Sequence, residues 1–220
     1  MKRNILTLSV ILLLAMLTAC GGAKDKGNDV DNNGSGAYDK YKSAPFVEMM
    51  VAGTYYIDST VYVEGAPATI KMAVNGSNSS VEVIGLPTPM RALVINGKMY
   101  YVNDEKRQYM MVDSKKVTDP RDIGIFDYKG MKYKSSGNGI ISDLTGVDGN
   151  TYDYEEFTTG TVVKAMTVRY YFKSDKLYAI QVKTGGAGTT MVINQMTKDI
   201  PGGLVNLPTG YKMMDATNFF

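Results

Sequence analysis

From Thr54 onward the apolar residues fall on alternate positions. Thr54 to Val63 reads TYYIDSTVYV and places Tyr55, Ile57, Val61 and Val63 on one side, while Ala68 to Val74 places Ile70, Met72 and Val74 on one side. Successive side chains of a strand point to opposite faces, so this period of two predicts strands rather than helices. Turn residues punctuate the pattern at Glu64-Gly65-Ala66-Pro67, Asn75-Gly76-Ser77-Asn78, Pro87-Thr88-Pro89 and Asn96-Gly97. The last pair supplies the positive-φ residues of a two-residue hairpin turn. Strands are expected over 54–63, 68–74, 80–86, 90–95, 98–102 and 107–112, an antiparallel meander. A polar stretch over 113–130 interrupts it, with Ile123, Ile125 and Phe126 to pin a loop. Strand patterning returns over 131–134, 139–142, 151–158, 162–173, 176–184 and 189–198. Gly185-Gly186-Ala187-Gly188 is a hairpin turn and not a phosphate loop, because no helix follows it. Ahead of the sheet, Tyr38 to Ala52 predicts a short helix or turn, with Phe46, Met49 and Met50 at i, i+3 and i+4.

The later strands are apolar on both sides. Val162, Met166, Val168, Tyr170 and Phe172 share one face of their strand, and Val163, Ala165 and Tyr171 lie on the other. Met99 and Tyr101 likewise oppose Tyr100 and Val102. A sheet wetted on one side would carry a polar second face, so something is expected to cover each side. Of the 15 methionines, those at 72, 90, 99, 110, 111, 166, 191 and 196 fall within expected strands. Methionine is flexible and polarisable, and it suits either ordinary core filling or a lining that adapts to variable apolar shapes.

The chain opens differently. Lys2 and Arg3 precede an apolar run from Ile5 to Leu17, which ends in Leu17-Thr18-Ala19-Cys20. A run this short, closed by small residues, reads as a secretory signal and not as a membrane span. Gly21 to Gly36 follows as GGAKDKGNDVDNNGSG, with Val30 as its one branched aliphatic residue, too little apolar surface to offset the entropy of ordering. Its expected r.m.s. reach is on the order of 20 Å. Asp29-Val30-Asp31-Asn32-Asn33-Gly34 matches the first half of a calcium-binding loop, but Lys40 stands where the bidentate glutamate belongs.

Charge and composition remove several chemistries. Lys2 and Arg3 are the whole of the formal excess, and beyond the leader 22 basic groups balance 22 acidic ones. Nothing in that balance favours nucleic acid. The chain has no His, no Trp and a single Cys. Without His there is neither the commonest general base nor a Ser-His-Asp triad, and no metal or cofactor is expected. No intramolecular disulfide can form. The spacing Ser-x-x-Lys is absent too. Asp153, Glu155 and Glu156 lie on one expected strand, with Asp153 and Glu155 on one face. They could serve as an acid–base pair in glycoside hydrolysis, though neighbouring acids on a strand more often form a solvated face.

Leu17-Thr18-Ala19-Cys20 resembles the lipobox of bacterial lipoproteins. That resemblance implies cleavage between Ala19 and Cys20, acylation of the Cys20 thiol, and attachment to a membrane facing outside the cytoplasm. The remainder resembles the lipoprotein-carrier superfamily, the LolA/LolB-like proteins. The resemblance rests on the meander with aromatic pairs before polar turns, on Tyr170-Tyr171-Phe172-Lys173-Ser174-Asp175-Lys176-Leu177, and on the closing Leu207-Pro208-Thr209-Gly210-Tyr211-Lys212. It implies an incomplete barrel, a curved antiparallel sheet of about ten or eleven strands covered by one or two short helices or loops. The expected organisation is a signal peptide over 1–19, a lipidated cysteine and tether over 20–45, and one β domain over 46–215. The expected function is non-enzymatic: a monomer that binds a lipid or lipoprotein acyl chain on its concave face. Met72, Met99, Tyr101, Met111, Met166, Val168, Tyr170 and Met191 are the candidate lining. The alternatives are a surface scaffold with an ordinary packed core and, third, a carboxylate-based hydrolase.

Overall fold

A computed structural model of the chain describes residues 40–63, 65–85, 90–112, 131–144, 148–159, 166–184 and 187–215. Ala19, Cys20, the tether as far as residue 39, the Pro87-Thr88-Pro89 break and the 113–130 loop lie outside them. The fold is mainly β. One short helix, α1 (Ala44–Val51), precedes β1 (Thr54–Val63), β2 (Ala66–Asn75), β3 (Asn78–Ile84), β4 (Met90–Ile95), β5 (Lys98–Asn103) and β6 (Gln108–Val112). Then come β7 (Lys132–Ile140), β8 (Thr151–Thr159), β9 (Met166–Lys173), β10 (Lys176–Thr184), β11 (Ala187–Thr197) and β12 (Lys212–Met213). The hydrogen-bonded order is β12-β6-β5-β4-β3-β2-β1-β11-β10-β9-β8-β7, a twelve-stranded sheet that is not closed into a barrel. The sheet is antiparallel, and the two-residue contact of β12 with β6 is parallel. By packing, the described residues form two compact units. One holds β1–β6, β12 and the end of β11; the other holds α1, β7–β10 and the start of β11.

In the first unit the meander is in register from strand to strand. Ile57 pairs with Met72, Met72 with Val81, Val81 with Ala92, Ala92 with Tyr101, and Tyr101 with Met110. That row therefore shares one face. The adjacent row, Tyr56, Ala73, Ser80, Leu93, Tyr100 and Met111, shares the other. Val205 packs with Tyr56 and Ala73 on this second face, and Ile200 and Leu204 join them, so the chain after β11 folds back over it. Leu93 and Val102 are buried there as well.

In the second unit α1 begins only at Ala44, later than the pattern from Tyr38 suggests. Pro45 sits in its first turn, where a fixed φ and a missing N–H cost nothing. Phe46 meets Phe172 with ring centroids 6.5 Å apart, and Tyr41, just ahead of the helix, stands edge-on to Phe157 at 5.3 Å. The expected strands over 131–134 and 139–142 are one strand, β7. Ser135-Ser136-Gly137-Asn138-Gly139 has the composition of a turn, yet it pairs with β8 from Glu156 to Tyr152. Tyr154 fills the space beside Gly137, its hydroxyl 3.1 Å from where a Cβ would stand, so a side chain there would have to push the Tyr154 ring aside by a few tenths of an ångström. A bulge between Tyr133 and Ser135 absorbs the extra residue.

Candidate functional site

The face of β1–β6 that carries Met72 has no charged residue at any described position. Along it lie Tyr55, Ile57, Ser59 and Val61 on β1, Ala68, Ile70, Met72 and Val74 on β2, and Ser79, Val81 and Val83 on β3. It continues through Ala92 and Val94 to Met99, Tyr101 and Asn103, ending in Gln108, Met110 and Val112. Asp58, Lys71, Glu82, Arg91 and Lys98 are all on the opposite face. Burial on the uncharged face is graded. On β1 and β2 its members are buried, whereas Val81, Ala92, Val94, Met99 and Tyr101 are only partly so. The few polar groups in the buried part are engaged. Ser59 Oγ donates to the Ile70 carbonyl at 3.2 Å, and the Tyr55 hydroxyl lies 3.8 Å from Met72 Sδ. Burial pushes the Tyr55 phenol up to about 12, so it stays a neutral donor.

The eight candidate lining residues are divided between the two units. Met72, Met99 and Tyr101 share the uncharged face of the first unit. Met111 is on the other side; its neighbour Met110 occupies the expected face. Two consecutive methionines give no sequence signal for which one points inward. Met166, Val168, Tyr170 and Met191 belong to the second unit. Val168 pairs with Phe157, Tyr170 with Ile180, and Ile180 with Met191, which puts them on one face with Phe172. Val168 and Tyr170 are fully buried there, with Phe157 edge-on to Tyr170 at 5.9 Å. Side chains of the unit itself fill that space, whereas Met166 and Met191 remain partly exposed.

The three acids of β8 divide between the two faces. Asp153 is exposed and pairs with Lys42 at 3.4 Å, and Asn138 donates to its other oxygen. Those hydrogen bonds, from Asn138 first and then Lys42, hold its carboxyl below the usual range. Glu155 is buried. Its Oε1 accepts the Lys42 N–H at 2.8 Å, and its Oε2 accepts the Ser43 N–H at 2.9 Å and the Ser43 hydroxyl at 2.6 Å. Glu156 points the opposite way, to Lys134 at 2.7 Å and to the Arg169 guanidinium. Burial works to raise the Glu156 carboxyl, but the hydrogen bonds from Lys134 and Arg169 outweigh it and the net shift is downward. Each acid is thus committed to a structural partner. Among the described residues no three acids converge as a metal would require.

Two polar clusters gave no signal in the sequence. Arg169 lies over the Tyr154 ring at 4.2 Å and donates to the Tyr171 hydroxyl at 3.2 Å. From there the chain of bonds runs through Gln181 to Thr190 and on to Asp143. The second cluster gathers on Asp148, which accepts from the hydroxyls of Tyr152 and Tyr178 and from the Asn150 N–H. Tyr152 and Tyr178 stack at 4.4 Å, because a bulge between Leu177 and Ala179 turns Tyr178 out of the strand alternation. The Tyr152 bond, followed by Asn150, lowers the Asp148 carboxyl to about 2. Of the other arginines, Arg91 bonds Asp104 and the Gly203 carbonyl, and Arg107 lies over the Tyr211 ring.

No family model matches the chain, and no curated protein matches it. Among solved structures it is similar to an uncharacterised conserved protein from Thermus thermophilus, at 8% identity and a TM-score of 0.46, over 79% of this chain and 99% of that one. It is also similar to PNGF-II at 12% identity and a TM-score of 0.35, over 74% of this chain and 31% of that one. Likenesses at these scores carry no argument about what the protein does.

Proposed function

We propose that the chain is a lipid-anchored protein facing outside the cytoplasm, and that the uncharged face of β1–β6 binds an apolar ligand, a lipid or lipoprotein acyl chain. The observation that carries this reading is the strip of partly exposed apolar residues on that face, Val81, Ala92, Val94, Met99 and Tyr101. It is continuous with the buried apolar residues of β1 and β2 and is free of any charge that an acyl chain would have to desolvate. The leader and Cys20 support delivery to a lipid surface, and the resemblance to the lipoprotein carriers points to the same ligand class. On this reading the protein has no enzymatic role. The tight self-packing around Val168 and Tyr170 favours the scaffold alternative for the second unit, so the ligand is assigned to the first.

Native mass spectrometry of the chain, purified without added lipid, tests the reading. Co-purified lipid is expected. Met99→Asp should remove it, because a charge placed on the strip cannot be buried beside an acyl chain. Lipid retained by this variant, or none found on the unsubstituted chain, would sink the proposal.

A further inference from the structure

The point where the tether joins the described residues repeats a triplet found on the edge strand. Lys40-Tyr41-Lys42 leads into α1, and Lys132-Tyr133-Lys134 opens β7. The two triplets meet through their tyrosines, which stack with centroids 4.9 Å apart at an interplanar angle of 18°. Tyr133 remains 43% exposed and its hydroxyl donates to Ser136, so the ring is held with one side toward solvent. Lys40 Nζ lies 5.1 Å from the Tyr41 centroid. The other charges nearby are accounted for by name: Lys42 pairs with Asp153 and Asp175, and Lys134 pairs with Glu156. Lys40 and Lys132 are exposed and have no acid partner among the described residues. β7 closes the hydrogen-bonded order, so its side chains are reached from both sides of the sheet edge.

We infer that this double Lys-Tyr-Lys edge is a docking surface for an anionic lipid headgroup layer. Tyrosine rings with one polar end settle at the level of headgroups, and lysines beside them attract anionic lipid. Position supports that partner over a free anion. The patch begins 20 residues after Cys20, so an acyl group on that cysteine holds it within reach of a bilayer. The inference rests on the anchor reading above. It adds an orientation: the second unit lies edge-on to the surface with β7 nearest the lipid.

The test uses the chain extracted from membranes and placed on vesicles of phosphatidylcholine alone or of phosphatidylcholine with phosphatidylglycerol. An intact-mass measurement reads the state of Cys20, and an amine-reactive reagent then reads each lysine. On the anionic vesicles Lys40 and Lys132 should label more slowly, roughly fivefold for each lysine. Lys71 and Lys98, on the other unit, serve as internal controls. The protection should fade as salt is raised, and Lys40→Glu with Lys132→Glu should abolish protection of the remaining patch lysines. An acylated Cys20 with equal labelling on both vesicles overturns the inference alone. Equal protection by inorganic phosphate does so too, since it would mark a simple anion site. An unmodified Cys20 overturns the anchor reading and the orientation with it.

Discussion

At the scale of single residues, the second unit is organised by carboxylates reaching across sequence. Glu155 is 112 residues from Ser43 and binds its N–H and hydroxyl, fixing the start of a helix that has no side-chain cap of its own. An eight-residue helix is marginal by itself, so its place depends on this contact and on the aromatic packing beside it. Glu155→Gln keeps the volume but presents an NH2 to a backbone donor. It should cost about 1–3 kcal/mol, read as a lower denaturant midpoint with an unchanged slope; an unmoved midpoint would refute the role given to Glu155. Asp148 makes a pH prediction. Its folded value of about 2 lies below the ordinary 3.8, so the stabilisation is complete above the ordinary value and lost as pH falls through about 2. Asp148→Asn removes this dependence. The gap in thermal midpoint between the two proteins should be widest near neutrality and narrow between about pH 4 and pH 2. Parallel curves over that window would contradict the assignment.

At the scale of elements, the β4–β5 hairpin shows how much a turn decides. Asn96 and Gly97 have φ of 50° and 73°, the left-handed pair a two-residue hairpin turn needs. A Cβ at Gly97 would meet nothing within 4 Å, so Gly97→Ala isolates the backbone cost, about 1–2 kcal/mol. Equilibrium unfolding should report that loss with the fold intact, and a neutral substitution would mean the turn is not held in this geometry. This hairpin was legible because its turn chemistry and its alternation agree; elsewhere in β1–β6 the alternation located the strands, while Ala66 and Pro67, expected in a turn, open β2, and Asn75 and Asn78 end β2 and begin β3. β7 was not legible, since its glycines read as a turn and the ring that crowds Gly137, that of Tyr154, lies on another strand. Nor could Glu156–Arg169 be seen beforehand. The pair exists only through the register of β8 with β9, which no local pattern encodes. The Tyr178 bulge hid the Asp148 cluster for the same reason.

At the scale of the whole molecule, the division of labour follows from where charge is placed. The meander keeps its charges to one face, and the opposite face is left to apolar contact. In the unit with α1, Glu155 fixes the start of the helix and Glu156 ties down Lys134 of the edge strand. Both units belong to a chain whose only thiol is that of Cys20. The sequence after Cys20, residues 21–36, has Val30 as its one branched aliphatic residue and so offers little apolar surface for a core to bury. On the proposed anchor reading, Cys20→Ser should abolish incorporation of a radiolabelled fatty acid and release the chain from washed membranes, or leave it there only through an uncleaved leader, which its mass reveals. Circular dichroism and the unfolding midpoint of the β portion should not change. A Cys20→Ser chain that is cleaved, unlabelled and still retained after a high-salt wash would place the membrane attachment in the sheet itself. The uncharged face of β1–β6 would then be a surface that meets lipid directly, and not a site for a single acyl chain.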